Sequence, residues 1–404
     1  MEVDVFLNNE NNRQSVGRLS DRTGKIQFQY DRSFLKQGIE ISPLNLPLRI
    51  SGWQSKNNLF DGLPGIFADS LPDGWGNLLL DRQLRRLGKR LADTSPLERL
   101  CGIGKDGMGA LEYEPASDDL LDFHPEQIQL DVVAENAAAV LAETATPQIL
   151  DSLRSMNGSS GGARPKIVCL VSDDRQKIKR GHLAENGFTP WIIKFRQQYD
   201  PIDAGAQEYI CLQTARAAGI NTPECHLFES ALCPGWLGVR RFDRTATGKR
   251  HMATVAGLLH CDYRLPSLDY ASLMALTKML AGTDALIEMF KRTVFNFLLN
   301  NNDDHAKNFS FIMDAKGQWQ LSPIYDVLPD GMEKSEHMTA LLGKGKNITR
   351  QDFIALASRF DIPEQTATNI IDNVCGALMQ YPSHAKTLDV HVPAAIQANI
   401  KSYC

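Results

Sequence analysis

A short polar segment, residues 301–308, interrupts an apolar stretch of the sequence and strongly constrains the fold. It is NNDDHAKN and lies between the apolar runs FNFLL and FSFIM. Apolar runs of this kind are typical of buried elements, and we predict a helix before the segment and a hairpin after it, with its turn at residues 314–317. Because buried elements flank these charged side chains, simple solvation explains them poorly.

The order of strand and helix patterns predicts an α+β protein. Alternation at residues 3–7 and 25–30 predicts a small, mostly antiparallel sheet within residues 1–50. A helix is expected after the break at residues 72–74, and another over residues 206–218. The remaining predicted strands cover residues 167–171, 191–195, 226–228 and 236–242, and helices dominate after residue 265, with 273–280 and 286–300 the clearest. A sheet followed by helices predicts two lobes.

Composition and charge limit the classes of function. The 404 residues exceed one average core and fit two or three packed units. The net charge of -5 argues against a protein that grips DNA by itself. The N-terminus lacks the apolar core of a signal peptide, and no run reaches the ~18 apolar residues of a membrane span. We therefore expect a cytoplasmic protein with reduced cysteines and no membrane partner.

Three residues carry the chemistry expected for phosphoryl transfer. Asp303 and Asn308 are five residues apart, the separation of the Asp and Asn in the protein-kinase catalytic loop. The predicted hairpin would return the chain so that Asp326 lies beside them. Phosphoryl transfer needs a carboxylate for the attacking hydroxyl, oxygen ligands for magnesium and cations for the phosphates. The alternative is a solvated polar loop, since this spacing also occurs by chance.

Three other segments are weak indicators when taken alone. The glycines of GSSGGARPK, residues 158–166, would let backbone N–H groups face phosphates, but such a segment is often a linker. Lys194 projects from the apolar strand WIIKF towards a candidate partner, Glu208, although an edge-strand lysine can simply reach water. Phe242, in VRRFDR, could stack on adenine between two lobes, or it could end a surface strand.

Taken in order, these segments resemble the HipA kinase family over nearly the whole chain. The resemblance rests on FDGLPGIFADSLPDGWGNLLLDR, SPLERLCGIGKDGMGAL, SSGGARPK, WIIKF, RRFDR, NNDDHAKNFSF and LSPIYDVLP. It implies a two-lobed, protein-kinase-like α+β fold. The parts would be an N-terminal β-rich subdomain (1–115), a helical connector (116–150), an N-lobe-like part with Gly-rich loop and hinge (151–244) and a helical C-terminal lobe (245–404).

The resemblance also implies ATP and Mg²⁺ as cofactors and a role for each site residue. Asp303 would be the catalytic base, and Asn308 and Asp326 the magnesium ligands. Glu208 is the structural ion-pair candidate. Autophosphorylation of Ser159, or of the adjacent Ser160, would eject the Gly-rich loop and stop the reaction, because a phosphoserine places negative charge where ATP phosphates lie. The implied ATP-binding residues are Ser160, Gly161, Gly162, Ala163, Lys166, Lys194, Arg241, Phe242, His305, Lys307 and Tyr325.

The implied biology is that of a toxin in a toxin–antitoxin pair. A HipB-like helix-turn-helix antitoxin would supply most of the DNA binding, and the protein substrate would be a translation component such as an aminoacyl-tRNA synthetase. Two alternatives remain. An aminoglycoside-type phosphotransferase is disfavoured by the N-terminal unit, which such enzymes lack. A pseudokinase that only binds antitoxin and DNA is disfavoured by the complete set of catalytic residues.

Overall fold

The structure is a computed structural model that describes residues 1–22, 24–55, 57–116, 127–158, 161–330 and 336–403. Within these residues the chain forms four β-sheets and a large helical region. The predicted α+β fold is therefore confirmed.

The first sheet is built on the alternating N-terminal sequence. Its region contains β1 (Glu2–Asn9), β2 (Asn12–Asp21), β3 (Ile26–Tyr30), α1 (Arg32–Leu35), β4 (Trp53–Gln54), α2 (Gly65–Ala68), α3 (Gly74–Arg86), α4 (Pro96–Ile103) and β5 (Leu111–Glu114). Val3, Val5 and Leu7 are buried on one face of β1, as a period of two requires. β1, β2 and β3 pair in antiparallel fashion, which confirms the predicted sheet.

The second sheet has the order β7-β6-β8-β10-β9, and all its pairs are antiparallel. The elements of this part are α5 (Leu130–Leu141), α6 (Pro147–Asn157), β6 (Lys166–Ser172), β7 (Ile178–Lys179), β8 (Phe188–Lys194), α7 (Ala204–Ala217), β9 (Cys225–Phe228) and β10 (Trp236–Arg240). Trp75 of α3, Leu153 of α6 and Trp191 of β8 share one apolar cluster. The helices α5 and α6 thus pack on this sheet together with a helix of the N-terminal unit.

The remainder of the chain is mainly helical. Its elements are β11 (Arg244–Thr245), β12 (Gly248–Lys249), β13 (His251–Thr254), α8 (Val255–Leu259), β14 (Leu268–Asp269), α9 (Tyr270–Leu299), β15 (Ser310–Met313), β16 (Trp319–Leu321), β17 (Thr339–Ala340), α10 (Arg350–Arg359), α11 (Glu364–Met379), α12 (Tyr381–Thr387) and α13 (Ala394–Tyr403). The two helices predicted for residues 273–280 and 286–300 form the single element α9, which kinks at Gly282. The predicted hairpin is present as β15 and β16, and β13 completes its sheet.

The first sheet and the helical region share one core. The largest apolar cluster extends from Val3 on β1 to Ile396 on α13. β12 also joins the first sheet, parallel to β1, with Asn9 beside Lys249. The sheet pairing therefore crosses the predicted boundary at residues 244/245, and the four-part division stays a prediction. Residues 117–126 of the predicted connector lie outside the described part of the chain.

The structure also bears on the cysteines and on membranes. Six described cysteines, Cys101, Cys169, Cys211, Cys225, Cys233 and Cys261, form no disulfide, whereas Cys375 is disulfide-bonded. The expectation of eight reduced cysteines is thus wrong for Cys375, because sulfur pairing depends on tertiary proximity that sequence spacing does not show. No helix in the described ranges is long and apolar enough to cross a bilayer.

Candidate active site

A cavity of about 910 Å³ is lined by every predicted site residue in the described part of the chain. The predicted residues reach it from α7, which carries Glu208, and from the segments 161–166, the end of β8, 239–243, 301–308 and 325–330. A cavity of this size suits a nucleotide. The N-terminal segment 69–74 also lines the cavity, which the sequence analysis did not predict.

Two adjacent aspartates in the loop after α9 have opposite environments. Asp304 is fully buried and accepts hydrogen bonds from Tyr270 Oη at 2.7 Å and from Thr339 N at 3.0 Å. His337 Nδ1 lies 3.0 Å from the same carboxylate. The side chain of Asp303, in contrast, is 81% exposed and lines the cavity. Asp304 therefore anchors the loop, and Asp303 is left to meet a substrate.

Asn308 and Asp326 offer oxygen ligands at the same cavity. The Asn308 amide nitrogen donates to the Asp303 carbonyl at 2.7 Å, which leaves the amide oxygen for another partner. Among the described residues, no group of three or more His, Cys, Asp or Glu side chains could hold a metal ion. Magnesium commonly binds through one or two carboxylates plus substrate phosphates, so this oxygen set fits a nucleotide-bound cation rather than a resident one.

Lys194 joins the two carboxylates expected near the phosphates. Its Nζ donates to Glu208 Oε1 at 2.6 Å and also to Asp326 Oδ1. Burial alone would lower the pKa of Lys194, but Asp326 and Glu208 outweigh it and raise that pKa. Burial would likewise raise the pKa of Asp326, yet Lys194 and Lys166 hold it well below its usual range. Both groups therefore remain charged at neutral pH, and the predicted Lys194–Glu208 ion pair is present.

A second lysine lies opposite Lys194 on the neighbouring strand. Lys166 on β6 and Lys194 on β8 are direct partners in the register. Like charges directly opposite each other destabilise a sheet, so nearby anions are needed to offset the repulsion between the two lysines. Lys166 Nζ donates to the Gly161 carbonyl of the Gly-rich segment. Gly162 has a φ of 99°, a conformation that most other residues avoid.

Residues 239–243 form another wall, in which Arg241 and Phe242 play different parts. The Phe242 ring lies 5.7 Å from the Tyr325 ring, centroid to centroid. Arg241 lines the cavity, but its guanidinium donates to Asp243 at 2.9 and 2.7 Å and is buried. The Arg241 guanidinium is thus taken up by the fully buried Asp243 carboxylate, which requires cationic partners. That Arg241 belongs to the ATP-binding residues stays a prediction.

The other predicted site residues each make a different contact in or near the loop of residues 301–308. His305 Nε2 lies 3.8 Å from Asp303 Oδ1. Tyr325 Oη donates to the Lys307 carbonyl at 2.7 Å, which ties the segment after the hairpin to the loop. Lys307 Nζ lies over the Tyr263 ring, 4.4 Å from its centroid. Gly161, Gly162 and Ala163 also line the cavity, whereas Ser159 and Ser160 lie outside the described residues.

Sequence reasoning missed the acidic residues that the N-terminal unit contributes. Asp73 binds Lys307, with Oδ2 2.8 Å from Nζ. Burial raises the pKa of Asp69 to about 6, although Lys307 partly offsets that effect. In the sequence, residues 72–74 indicate only a break in the chain. No local pattern shows that Asp73 contacts Lys307, which lies 234 positions further along. The quoted family motif LPDGWGN was the one available signal.

Two family models cover most of the chain. The model for the HipA-like C-terminal domain matches residues 158–381, and that for the HipA N-terminal domain matches residues 3–114. The chain belongs to the HipA family. The resemblance identified from the motifs is therefore confirmed.

Similar proteins carry kinase names. The kinase Y4dM of Sinorhizobium fredii is 25% identical over 80% of this chain and 82% of its own length. The serine/threonine-protein kinase toxin HipA of Shewanella oneidensis is 24% identical over 81% of this chain and 76% of that protein. A Haemophilus influenzae kinase is 49% identical over 42% of this chain and 52% of its own. These names confirm the prediction that this HipA-family chain is a kinase.

A solved structure supports the fold. The Shewanella oneidensis toxin–antitoxin complex of HipA, HipB and operator DNA contains a chain with a TM-score of 0.67 and 17% identity. The match covers 99% of the present chain and 94% of the other. At this identity the likeness concerns the fold, and it confirms the HipA-type architecture over the whole molecule.

Proposed function

We propose that this HipA-family chain is an ATP- and magnesium-dependent serine/threonine protein kinase that acts as the toxin of a toxin–antitoxin pair. One arrangement carries the proposal. The exposed Asp303 carboxylate, the Asn308 amide and the Asp326–Lys194 ion pair lie at one cavity. Phosphoryl transfer depends on such positioned charges more than on covalent chemistry.

Each side chain has a defined task in this mechanism. Asp303 orients a substrate hydroxyl and accepts its proton, with the neighbouring Asp304 holding the loop in place. Asn308 and Asp326 would hold Mg²⁺, which neutralises charge on the phosphates when it is bound. Lys194, kept cationic by Glu208, binds phosphate oxygens and is assisted by Lys166.

The cavity walls set the orientation of the nucleotide. Phe242, with Tyr325 beside it, forms the aromatic wall where adenine stacks. The amides of Gly161 and Gly162, which also line the cavity, would bind the polyphosphate. His305, next to Asp303, steadies the transferred phosphoryl group.

Regulation and partners extend the proposal. Phosphorylation of Ser159 or Ser160 would add roughly two negative charges directly before the Gly161 amide and so oppose ATP binding. A HipB-like antitoxin would neutralise the toxin and carry it to DNA. The substrate would be a translation component such as an aminoacyl-tRNA synthetase. The Shewanella complex of HipA, HipB and DNA supports this partner assignment by family membership.

Transfer of labelled phosphate from ATP tests the function. The purified chain should label itself and a protein in cell extract, but not an aminoglycoside, and chelation of Mg²⁺ should stop the reaction. Asp303→Asn should reduce turnover by about 10³-fold, within the range of general-base contributions. Asp173→Asn, a change at an exposed turn after β6, is the matched control and should leave turnover within twofold.

Two results would contradict the proposal. One is full turnover in Asp303→Asn, and the other is preferential labelling of the aminoglycoside. Mass spectrometry of the peptide that contains Ser159 and Ser160 should find one phosphate in the wild type and none in Asp303→Asn.

A further inference from the structure

Asp73 occupies the N-cap position of α3 but does not cap that helix. Aspartate is favoured at this position because its carboxylate usually accepts a backbone N–H from the first turn. Here the backbone of Asp73 is extended and the side chain makes no capping hydrogen bond. The carboxylate is therefore available for a different partner.

That partner is the phosphate-binding end of the cavity. One oxygen of Asp73 accepts the backbone N–H of Gly162 in the Gly-rich segment. The other oxygen lies 2.8 Å from Lys307 Nζ in the catalytic loop. Both side chains of this ion pair are largely buried, at 14% and 16% exposure. A loop amide and an ammonium group are the donors that a phosphate would use, and a carboxylate offers them the same anionic oxygens.

Backbone contacts hold Asp73 in this position independently of its charge. A Cβ at Gly74 would lie 2.5 Å from Ala163 Cα, so a larger residue could not approach so closely. The Trp75 backbone N–H donates to the Gly162 carbonyl at 3.1 Å. The Trp75 indole N–H donates to the Lys166 carbonyl at 3.2 Å. The Gly-rich segment therefore stays docked on the N-terminal unit when only the carboxylate is altered.

We propose that Asp73 is an internal occupant of the phosphate subsite, which a nucleoside triphosphate must displace from Lys307 in order to bind. The inference rests on the proposed function and deepens it. In the free protein, Asp73 neutralises Lys307 and holds it against the Gly-rich segment. When the polyphosphate enters, its oxygens take over Lys307 and the Gly162 amide. Asp73 is thus a positioning residue that sets nucleotide affinity through Lys307.

Nucleotide binding by the full chain tests this inference. Asp73→Asn keeps an oxygen for the Gly162 amide but removes the charge that pairs with Lys307. The dissociation constant of the non-hydrolysable analogue AMP-PNP with Mg²⁺ should fall about tenfold, as expected when one competing charge is removed. Adenosine, which carries no phosphate, should bind within twofold of the wild type. The KM for ATP should fall with the dissociation constant.

Two variants separate charge competition from a merely structural role. Asp81→Asn, on the same helix and paired with Arg85, should leave both affinities unchanged. In a Lys307→Met background the gain from Asp73→Asn should shrink to threefold or less. Should Asp73→Asn unfold, Asp73→Ser provides the same measurement, because serine is also a good N-cap.

The possible outcomes separate the inference from the proposed function. A wild type that binds neither AMP-PNP nor adenosine overturns both. A wild type that binds AMP-PNP, with equal or weaker binding in Asp73→Asn, overturns this inference alone. A tenfold gain that persists in the Lys307→Met background also overturns it, since Asp73 would then not act through Lys307.

Discussion

Two charged networks in this protein each pair basic with acidic side chains, and they differ in their access to ligand. In the network of Lys194, Glu208 and Asp326, the Asp326 side chain is 37% exposed. In the network of Arg241, Asp243 and Arg244, the side chains are at most 1% exposed. The first network opens into the cavity and can exchange a protein partner for a phosphate or a cation. The second, which we call the sealed network, is buried and its charges pair with one another, so it serves the fold.

The sealed network connects the N-terminal unit to the wall of the cavity. Asp243 accepts the Gly109 backbone N–H at 2.8 Å and hydrogen bonds from both arginines. Burial would raise the pKa of Asp243, but Arg241 and Arg244 hold it well below its usual range. Arg244 also donates to the Gly107 carbonyl at 2.7 Å. Gly107 and Gly109 are thus tied to the segment that carries Phe242.

The largest expected effect is a loss of turnover when the network that opens into the cavity is altered. Lys194→Met should lower turnover per folded molecule by about 10²–10³-fold, because a preorganised cation at the phosphates is lost. Lys179→Met, a lysine of the same sheet paired with Glu185, is the matched control and should stay within twofold. Labelled-ATP turnover, corrected for the folded fraction, measures the difference. If Lys194→Met kept a third or more of wild-type turnover, Lys194 would not be the cation that binds the phosphates.

The next largest expected effect is a loss of stability, with little loss of turnover, when the sealed network is altered. Asp243→Asn should lower the free energy of unfolding by about 3–5 kcal/mol, because two buried arginines lose their counter-charge. Urea unfolding measures this change, and turnover per folded molecule should remain within threefold. Asp4→Asn, which breaks a surface pair with Arg18, should leave the unfolding midpoint unchanged. A turnover loss as large as that of Lys194→Met would show that the two networks share one role.

The smallest expected effect is a pH dependence of stability that comes from one fully buried histidine, His251. His251 is fully buried, its Nε2 lies 3.0 Å from the Ile41 carbonyl, and burial lowers its pKa to about 4. The unfolded chain therefore takes up this proton first as the pH falls. The stability contribution is complete above pH ~6.5 and is lost as the pH falls through about 4.

Between pH 7.5 and 5 the wild type should lose about 2 kcal/mol more stability than His251→Gln, in which an amide replaces the ring donor. Urea midpoints at the two pH values give the comparison. His384→Gln, at an exposed histidine of α12, should retain the wild-type pH dependence. Equal pH dependence in wild type and His251→Gln would mean that this histidine is not buried as a neutral group.

Local patterns predicted much of the fold. The alternation at Val3, Val5 and Leu7 predicted β1, and the apolar runs on both sides of residues 301–308 predicted α9 and the hairpin. These predictions succeeded because the period of apolar residues directly reflects which face an element buries. The pairing of β12 with β1 was not predictable, since it joins residues about 240 positions apart through two short strands.

The sequence by itself determined the family, the order of the elements and the set of chemical groups, because these depend on residue types at short spacings. The tertiary structure alone decided which groups are used. Asp303 and Asp304 are neighbours in the chain, yet Asp303 lines the cavity and Asp304 is fully buried. Lys194 and Arg241 are both cations of predicted ATP-binding segments, yet Lys194 pairs with Glu208 and Asp326 at the cavity whereas the Arg241 guanidinium is buried against Asp243. Asp73 gained its place through contact with Lys307, 234 positions away. Burial and long-range pairing arise when distant segments pack together, so no local pattern records them.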